Sequence, residues 1–181
     1  MLLVVAGCRD KACENVKCIH GTCVDGTCEC EPGWGGPVCA SVPCVPECVN
    51  GKCNNGNCVC DPGWEGTDCS SLTRDKFFGG YLVDENCSSS DVYPLNINAD
   101  PSNVERILFS NLHRWGSIPY SVYANVNRDD FSIPLQNVGA LYKVSGGGTF
   151  DKSSLNITMA FQVYDLGGSV LESCSATLDR L

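Results

Sequence analysis

The stretch from Cys13 to Cys69 constrains this chain more than any other. It holds twelve of the fifteen cysteines in two nearly identical blocks. The first is Cys13, Cys18, Cys23, Cys28, Cys30 and Cys39, with 4, 4, 4, 1 and 8 residues between them. The second is Cys44, Cys48, Cys53, Cys58, Cys60 and Cys69, with 3, 4, 4, 1 and 8. The block recurs every 30 to 31 residues, so the region is a tandem repeat. A block this short buries too little apolar surface to fold by itself. Between its cysteines it offers little beyond Val24, Trp34 and Val38, or Val59 and Trp64. Covalent staples, each contributing about 2–4 kcal/mol, must stand in for a core. Asp25-Gly26 and Asn55-Gly56, each between a third and a fourth cysteine, predict tight hairpins, because both turn positions need positive φ. Zinc is the rival reading of clustered cysteines. These gaps are not a zinc-ribbon spacing and the chain has two histidines, so no metal or cofactor is read from it. Six cysteines allow many pairings, and spacing alone does not choose among them.

Each block ends alike, with Cys-Glu-Cys-Glu-Pro-Gly-Trp at 28–34 and Cys-Val-Cys-Asp-Pro-Gly-Trp at 58–64. This ending, and the aromatic-x4-Cys that completes it, resembles the EGF-like module. The resemblance covers 13–39 and 44–69, about a third of the chain. It implies first-to-third, second-to-fourth and fifth-to-sixth pairing: Cys13–Cys23, Cys18–Cys28, Cys30–Cys39, Cys44–Cys53, Cys48–Cys58 and Cys60–Cys69. Calcium-binding modules of this family carry an acidic cluster ahead of the first cysteine. The linker Ala40-Ser41-Val42-Pro43 has no carboxylate and Arg9-Asp10-Lys11-Ala12 has one, so calcium is not expected.

Fifteen cysteines in 181 residues point to an oxidising compartment. A hydrophobic content of 43% is that of folded protein. The formal net charge of −9 argues against nucleic acid and against electrostatic docking on anionic lipid. No run of 18 apolar residues occurs, so no transmembrane helix is expected. Residues 1–12 read as a signal remnant, a lipid-attachment site and a polar spacer. Val-Ala-Gly-Cys at 5–8 resembles the bacterial lipobox, which implies lipid on Cys8. Cys8 also fits into neither block.

After a boundary at 70–76 the composition changes, and 77–181 reads as one β domain. Strands are expected at about 77–85, 91–98, 104–111, 119–127, 130–136, 140–147, 154–164 and 168–178. The clearest alternation sets Leu155, Ile157, Met159, Phe161 and Val163 against Asn156, Thr158, Ala160 and Gln162. The first set should point inward, with Tyr120, Val122 and Val126. Short turns make consecutive strands antiparallel neighbours, and closure removes exposed edges. The fold class is therefore mainly β, with an eight-stranded antiparallel up-and-down barrel favoured over a β-sandwich. Cys87 and Cys174 remain once the blocks and Cys8 are set aside. Cys87 lies at the end of the first strand and Cys174 in the last, neighbours in such a barrel, where a Cα separation of ~5.5 Å is reachable. Cys87–Cys174 is the seventh expected bridge.

Several strings here carry a second resemblance: Phe-Gly-Gly-Tyr-Leu-Val-Asp-Glu-Asn-Cys at 78–87, Asn-Val-Glu-Arg-Ile-Leu-Phe-Ser-Asn-Leu at 103–112, Val-Ser-Gly-Gly-Gly-Thr-Phe at 144–150 and Leu-Glu-Ser-Cys-Ser-Ala-Thr-Leu at 171–178. Together they are similar to the lipocalin-like C-terminal domain of Bacteroidetes-type lipoproteins. The resemblance implies location and fold, and no substrate.

No catalytic constellation emerges. His20 reads as a turn residue and His113 as a solvated loop residue. Gly146-Gly147-Gly148 lacks the Lys-Ser/Thr of a phosphate loop and reads as a strand bend or bulge. Asp84-Glu85 and Asp129-Asp130 read as turn or edge charges. The chain is thus expected to be a non-enzymatic, lipid-anchored extracytoplasmic binding or interaction protein at the outer membrane or cell surface. Its EGF-like repeats would serve as stalk or contact surface for the barrel. Expected partners are the membrane, through the N-terminal lipid, and a protein or glycan at the cell surface. A small apolar ligand in the barrel is less favoured than an interior filled by side chains. The alternative is a secreted eukaryotic adhesion or matrix-type protein, with sequons at Asn86 and Asn156.

Overall fold

A computed structural model describes residues 11–87, 92–116 and 121–181. The expected lipid site Cys8 and the expected core residue Tyr120 lie outside the described residues. The chain divides into two compact units. One comprises the described residues up to Asp61 with Gly66–Ser70, and the other Pro62–Glu65 with Ser71–Leu181.

The first unit contains two hairpins of the same design. β1 (Gly21–Val24) pairs with β2 (Thr27–Cys30), and β3 (Gly51–Asn54) with β4 (Asn57–Cys60). Both turns place two left-handed residues in succession, Asp25 and Gly26 at φ 47° and 81°, Asn55 and Gly56 at 47° and 84°. Such turns twist as the strands do. The bridges are Cys13–Cys23, Cys18–Cys28, Cys30–Cys39, Cys44–Cys53, Cys48–Cys58 and Cys60–Cys69. Gly21 and Gly51 occupy equivalent places. A Cβ there would collide with the carbonyl oxygen of Glu29 or Val59 and come within 3.0 or 3.1 Å of the Cys39 or Cys69 sulfur. The third bridge of each module is therefore laid directly on a bare backbone. His20 is more than a turn residue: its ring stacks on Trp34, with centroids 3.5 Å apart.

In the second unit β5 (Trp64–Glu65) pairs with β6 (Ser71–Leu72), and a 3₁₀ turn follows at Asp75–Phe77. Eight strands then close a barrel: β7 (Gly79–Glu85), β8 (Tyr93–Ala99), β9 (Arg106–Ser110), β10 (Val122–Asn127), β11 (Asp130–Val138), β12 (Tyr142–Phe150), β13 (Ile157–Asp165) and β14 (Val170–Arg180). Each pairs antiparallel with its neighbours in sequence, and β14 closes on β7. The fold is the closed barrel, not the sandwich.

Alternate residues of every strand fill the interior. Tyr81, Leu95, Ile97, Ile107, Phe109, Val122, Val144, Ile157 and Leu178 are all at most 1% exposed. Met159, Phe161 and Val163 point inward as expected, as do Val122 and Val126. Leu155 does not: it is 47% exposed, with φ 61°, in the turn before β13. Its alternation with Ile157 was a coincidence of parity, because the chain turns between them. Gly146–Gly148 run in unbroken register against Phe161, Ala160 and Met159, so they form neither bend nor bulge. A Cβ on Gly146 would lie 2.7 Å from the Phe161 Cβ, and one on Gly148 2.6 Å from the Phe131 ring. These glycines clear space for aromatic side chains. The register shift lies between Ile133 and Gln136 on β11, around Pro134, which has no N–H to give. There the Gln136 amide stands in for the ladder, accepting from the Tyr123 N–H at 3.0 Å and donating to its carbonyl at 2.8 Å.

The chain enters the barrel at one end, called the lower. Phe77 closes it against Phe131 and Phe150, and the Tyr81 hydroxyl donates to the Phe77 carbonyl at 2.9 Å. The buried Arg74 guanidinium donates to the carbonyls of Asp100, Asn103 and Arg106, tying the β8–β9 turn. Lys76 bridges Glu65 and Asp129 at 2.8 and 2.9 Å.

Candidate functional site

The upper end carries the connections β7–β8, β9–β10, β11–β12 and β13–β14. Here the apolar filling gives way to polar groups. Glu85 is the last residue of β7, and strand parity turns it into the barrel, where its side chain is 1% exposed. It is not an edge charge. Its two oxygens are used separately: the Tyr93 hydroxyl donates to Oε2 at 2.8 Å, and His113 Nδ1 lies 2.8 Å from Oε1. Burying a carboxylate is tolerable only when it is paired in this way.

His113 comes from the β9–β10 connection, whose described residues 111–116 fold over the mouth. The side chain is 13% exposed, so it is not a solvated loop residue. Its backbone N–H donates to the Tyr93 hydroxyl at 2.9 Å, and its Nε2 lies 3.5 Å from Glu172 Oε2. The ring meets Trp115 and Phe161 edge to face, with centroids 5.1 and 5.8 Å away. The Arg114 guanidinium lies 5.1 Å from the centre of the Tyr93 ring. Asn111, His113 and Arg114 all have left-handed backbones, at φ 70°, 48° and 59°. Non-glycine residues adopt that conformation only where surrounding contacts insist on it. Asn111 supplies some of them: its Nδ2 donates to the Pro94 carbonyl at 2.7 Å, and its Oδ1 accepts from the Gly116 N–H at 3.0 Å.

Charge follows from this geometry. The hydrogen bond to Glu85 holds the His113 imidazole above its usual pKa, against the opposing effect of burial, and Glu172 adds to the rise. Burial pushes the Tyr93 phenol up, and the Glu85 carboxylate pushes it further. The mouth thus sets an imidazole whose protonated form is favoured between Glu85 and Glu172, beside a phenol whose neutral form is favoured. The Cys87–Cys174 bridge lies beside it, with a Cα separation of 5.2 Å. Cys174 is buried on the inward face with Ala176 and Leu178, and the Cys87 sulfur is 4.0 Å from His113 Nδ1.

Next to the mouth is a shallow pocket of about 220 Å³, lined by Trp115, Val138, Ala140, Leu141 and Tyr142. The Trp115 and Tyr142 rings are near parallel, at 13°, and Leu141 is 67% exposed at the hairpin tip. The adjoining β13–β14 hairpin exposes Leu166, Val170 and Leu171. In the first unit, Val45 and Val49 are the most exposed large apolar residues of the second module.

Sequence reading did not find Glu85, Tyr93, His113 and Glu172 as a group. Tyr93 and Glu85 carried a usable signal, since both fall on the inward parity of their strands. His113 carried none, because its place depends on three left-handed residues.

Residues 44–69 match the family model of the EGF-like domain. No curated protein matches the chain. The module and its bridges mark this as an extracellular or secreted type of protein carrying an interaction module.

Proposed function

We propose that this is a non-enzymatic, lipid-anchored extracytoplasmic interaction protein, held at a membrane through Cys8, whose EGF-like modules serve as stalk and contact surface for the barrel. The observation that carries the reading is the filled barrel: inward side chains from all eight strands occupy its interior, which leaves surfaces rather than a chamber to do the binding. The polar groups at the mouth favour the same reading. Glu85, Tyr93 and His113 are engaged with one another, not turned toward a substrate, and the His113 ring packs edge to face with Trp115 and Phe161. The exposed Leu141 and Tyr142, with the half-buried Trp115, are the barrel's best contact face for a protein or glycan at the cell surface.

The test is intact mass spectrometry of the mature protein from its native envelope. The expected result is a diacyl or triacyl mass on Cys8 with seven bridges. A glycan on Asn156 or Asn86 and an unmodified Cys8 would replace this reading with the secreted eukaryotic adhesion protein. A stoichiometric fatty acid copurifying with the barrel would overturn the surface-binding part alone.

A further inference from the structure

Cys87, Cys174, His113 and Glu172 come from three separate parts of the chain, yet one donor atom from each lies within 4.8 Å of the others. The Cys87–Cys174 bridge accounts for the nearness of the two sulfurs. It does not account for the imidazole and carboxylate that face them. The imidazole is also oriented. Its Nδ1 is held by Glu85 Oε1 at 2.8 Å and lies 4.0 Å from the Cys87 sulfur, while its Nε2 faces Glu172 Oε2 at 3.5 Å. A carboxylate on one imidazole nitrogen, fixing the ring for the other, is how metal-ligating histidines are supported. The cluster is largely shielded: Cys174 is buried, while Cys87 and His113 are half-buried. Glu172, with its side chain 41% exposed, opens it to solvent.

We propose that the same four residues form a zinc site when the bridge is open, so that the upper end of the barrel has two states, a disulfide and a metal centre. Two thiolates, an imidazole and a carboxylate are a four-ligand set that zinc accepts in tetrahedral geometry. The conversion needs a dithiol reductant. Its two sulfurs join as a disulfide, two electrons pass into the Cys87–Cys174 bond, and its two protons go to the released sulfurs. Zinc then displaces the two thiol protons, and the Nε2 proton of a protonated His113, to solvent as it binds. His113 binds through Nε2, Glu172 through a carboxylate oxygen, and Glu85 is a positioning residue behind Nδ1. The metal restores the cross-link between the β7–β8 connection and β14 that reduction removes.

The test uses the full chain and Co²⁺ as the optical probe, followed by displacement with Zn²⁺. Reduction also frees the module cysteines, so the signal is the difference between wild type and a Cys87→Ser/Cys174→Ser variant treated identically. The expected result is one additional equivalent of tetrahedral, thiolate-ligated Co²⁺ in the reduced wild type, and none in the oxidised protein. His113→Gln and Glu172→Gln, which keep every cysteine, should lose that equivalent. Glu85→Gln should retain it with about 10–100-fold weaker affinity. Equal binding by reduced wild type and the double-serine variant would overturn the proposal. So would His113→Gln and Glu172→Gln variants that bind as wild type does.

Discussion

The two units of this protein are held together by opposite means. Among the described residues of the first, the buried apolar side chains are Cys39, Cys44 and Cys69, each half of a bridge. In the second, a single cluster of buried side chains runs from Phe77 to Leu178 and involves every barrel strand, with one bridge that joins it through Cys174. The modules are ordered because their unfolded chains are cross-linked at close intervals; their bridges span 9 or 10 residues. The barrel is ordered because folding removes apolar area from water. A fold of the first kind depends on redox conditions, and one of the second kind on packing. The difference teaches that the Cys87–Cys174 bridge is an addition to a barrel that has its own core.

Full reduction tests this most severely. The hairpin amides of 21–30 and 51–60 should then exchange at unfolded rates, while those of 95–97 and 107–109 stay protected. Loss of barrel protection together with the modules would break the contrast. Next in size is Phe109→Ala, which empties the middle of the core where Phe109 meets Phe131. It should cost the barrel about 3–5 kcal/mol by chemical denaturation and leave all seven bridges countable by mass. Cys87→Ser/Cys174→Ser comes third. The bridge closes 87 residues of sequence separation, and its removal should cost about 2–4 kcal/mol. A melting point unchanged by this double substitution would show that the bridge adds nothing to the core.

The smallest effect is that of pH. The folded pKa of His113 is raised by its hydrogen bond to Glu85, so the native state holds this proton more tightly than the unfolded chain. The resulting stabilisation is complete below about pH 6.5, the unfolded value, and is lost as pH rises through the folded value. Barrel stability in denaturant should therefore decline from neutral to alkaline pH, and His113→Gln should flatten that decline. A wild-type profile that rises over this range would contradict the raised pKa of His113.

Much of the barrel was legible as alternation. Tyr93, Leu95 and Ile97, or Phe131 and Ile133, announce their inward face because successive side chains of a strand point to opposite sides. Leu155 shows the limit: alternation says nothing about where a strand begins. The glycines of β12 show another. Gly146 and Gly148 are explained by Phe161 and Phe131, residues on other strands that a local reading does not bring to them. At the upper end, Glu85 and His113 are separated by 28 positions, and the contact between them needs a loop that turns left-handed three times.

By itself, the sequence determined the two modules, their compartment and the number of strands, because disulfide spacing, turn dipeptides and strand parity act over a few residues. Tertiary structure alone decided that Cys174 faces inward, that Glu85 is a buried carboxylate and that His113 closes the mouth between Glu85 and Glu172. The physical reason is range. A buried charge is tolerated only where its partners converge, and these partners, on β7, β8, β14 and the β9–β10 connection, meet only when the barrel closes.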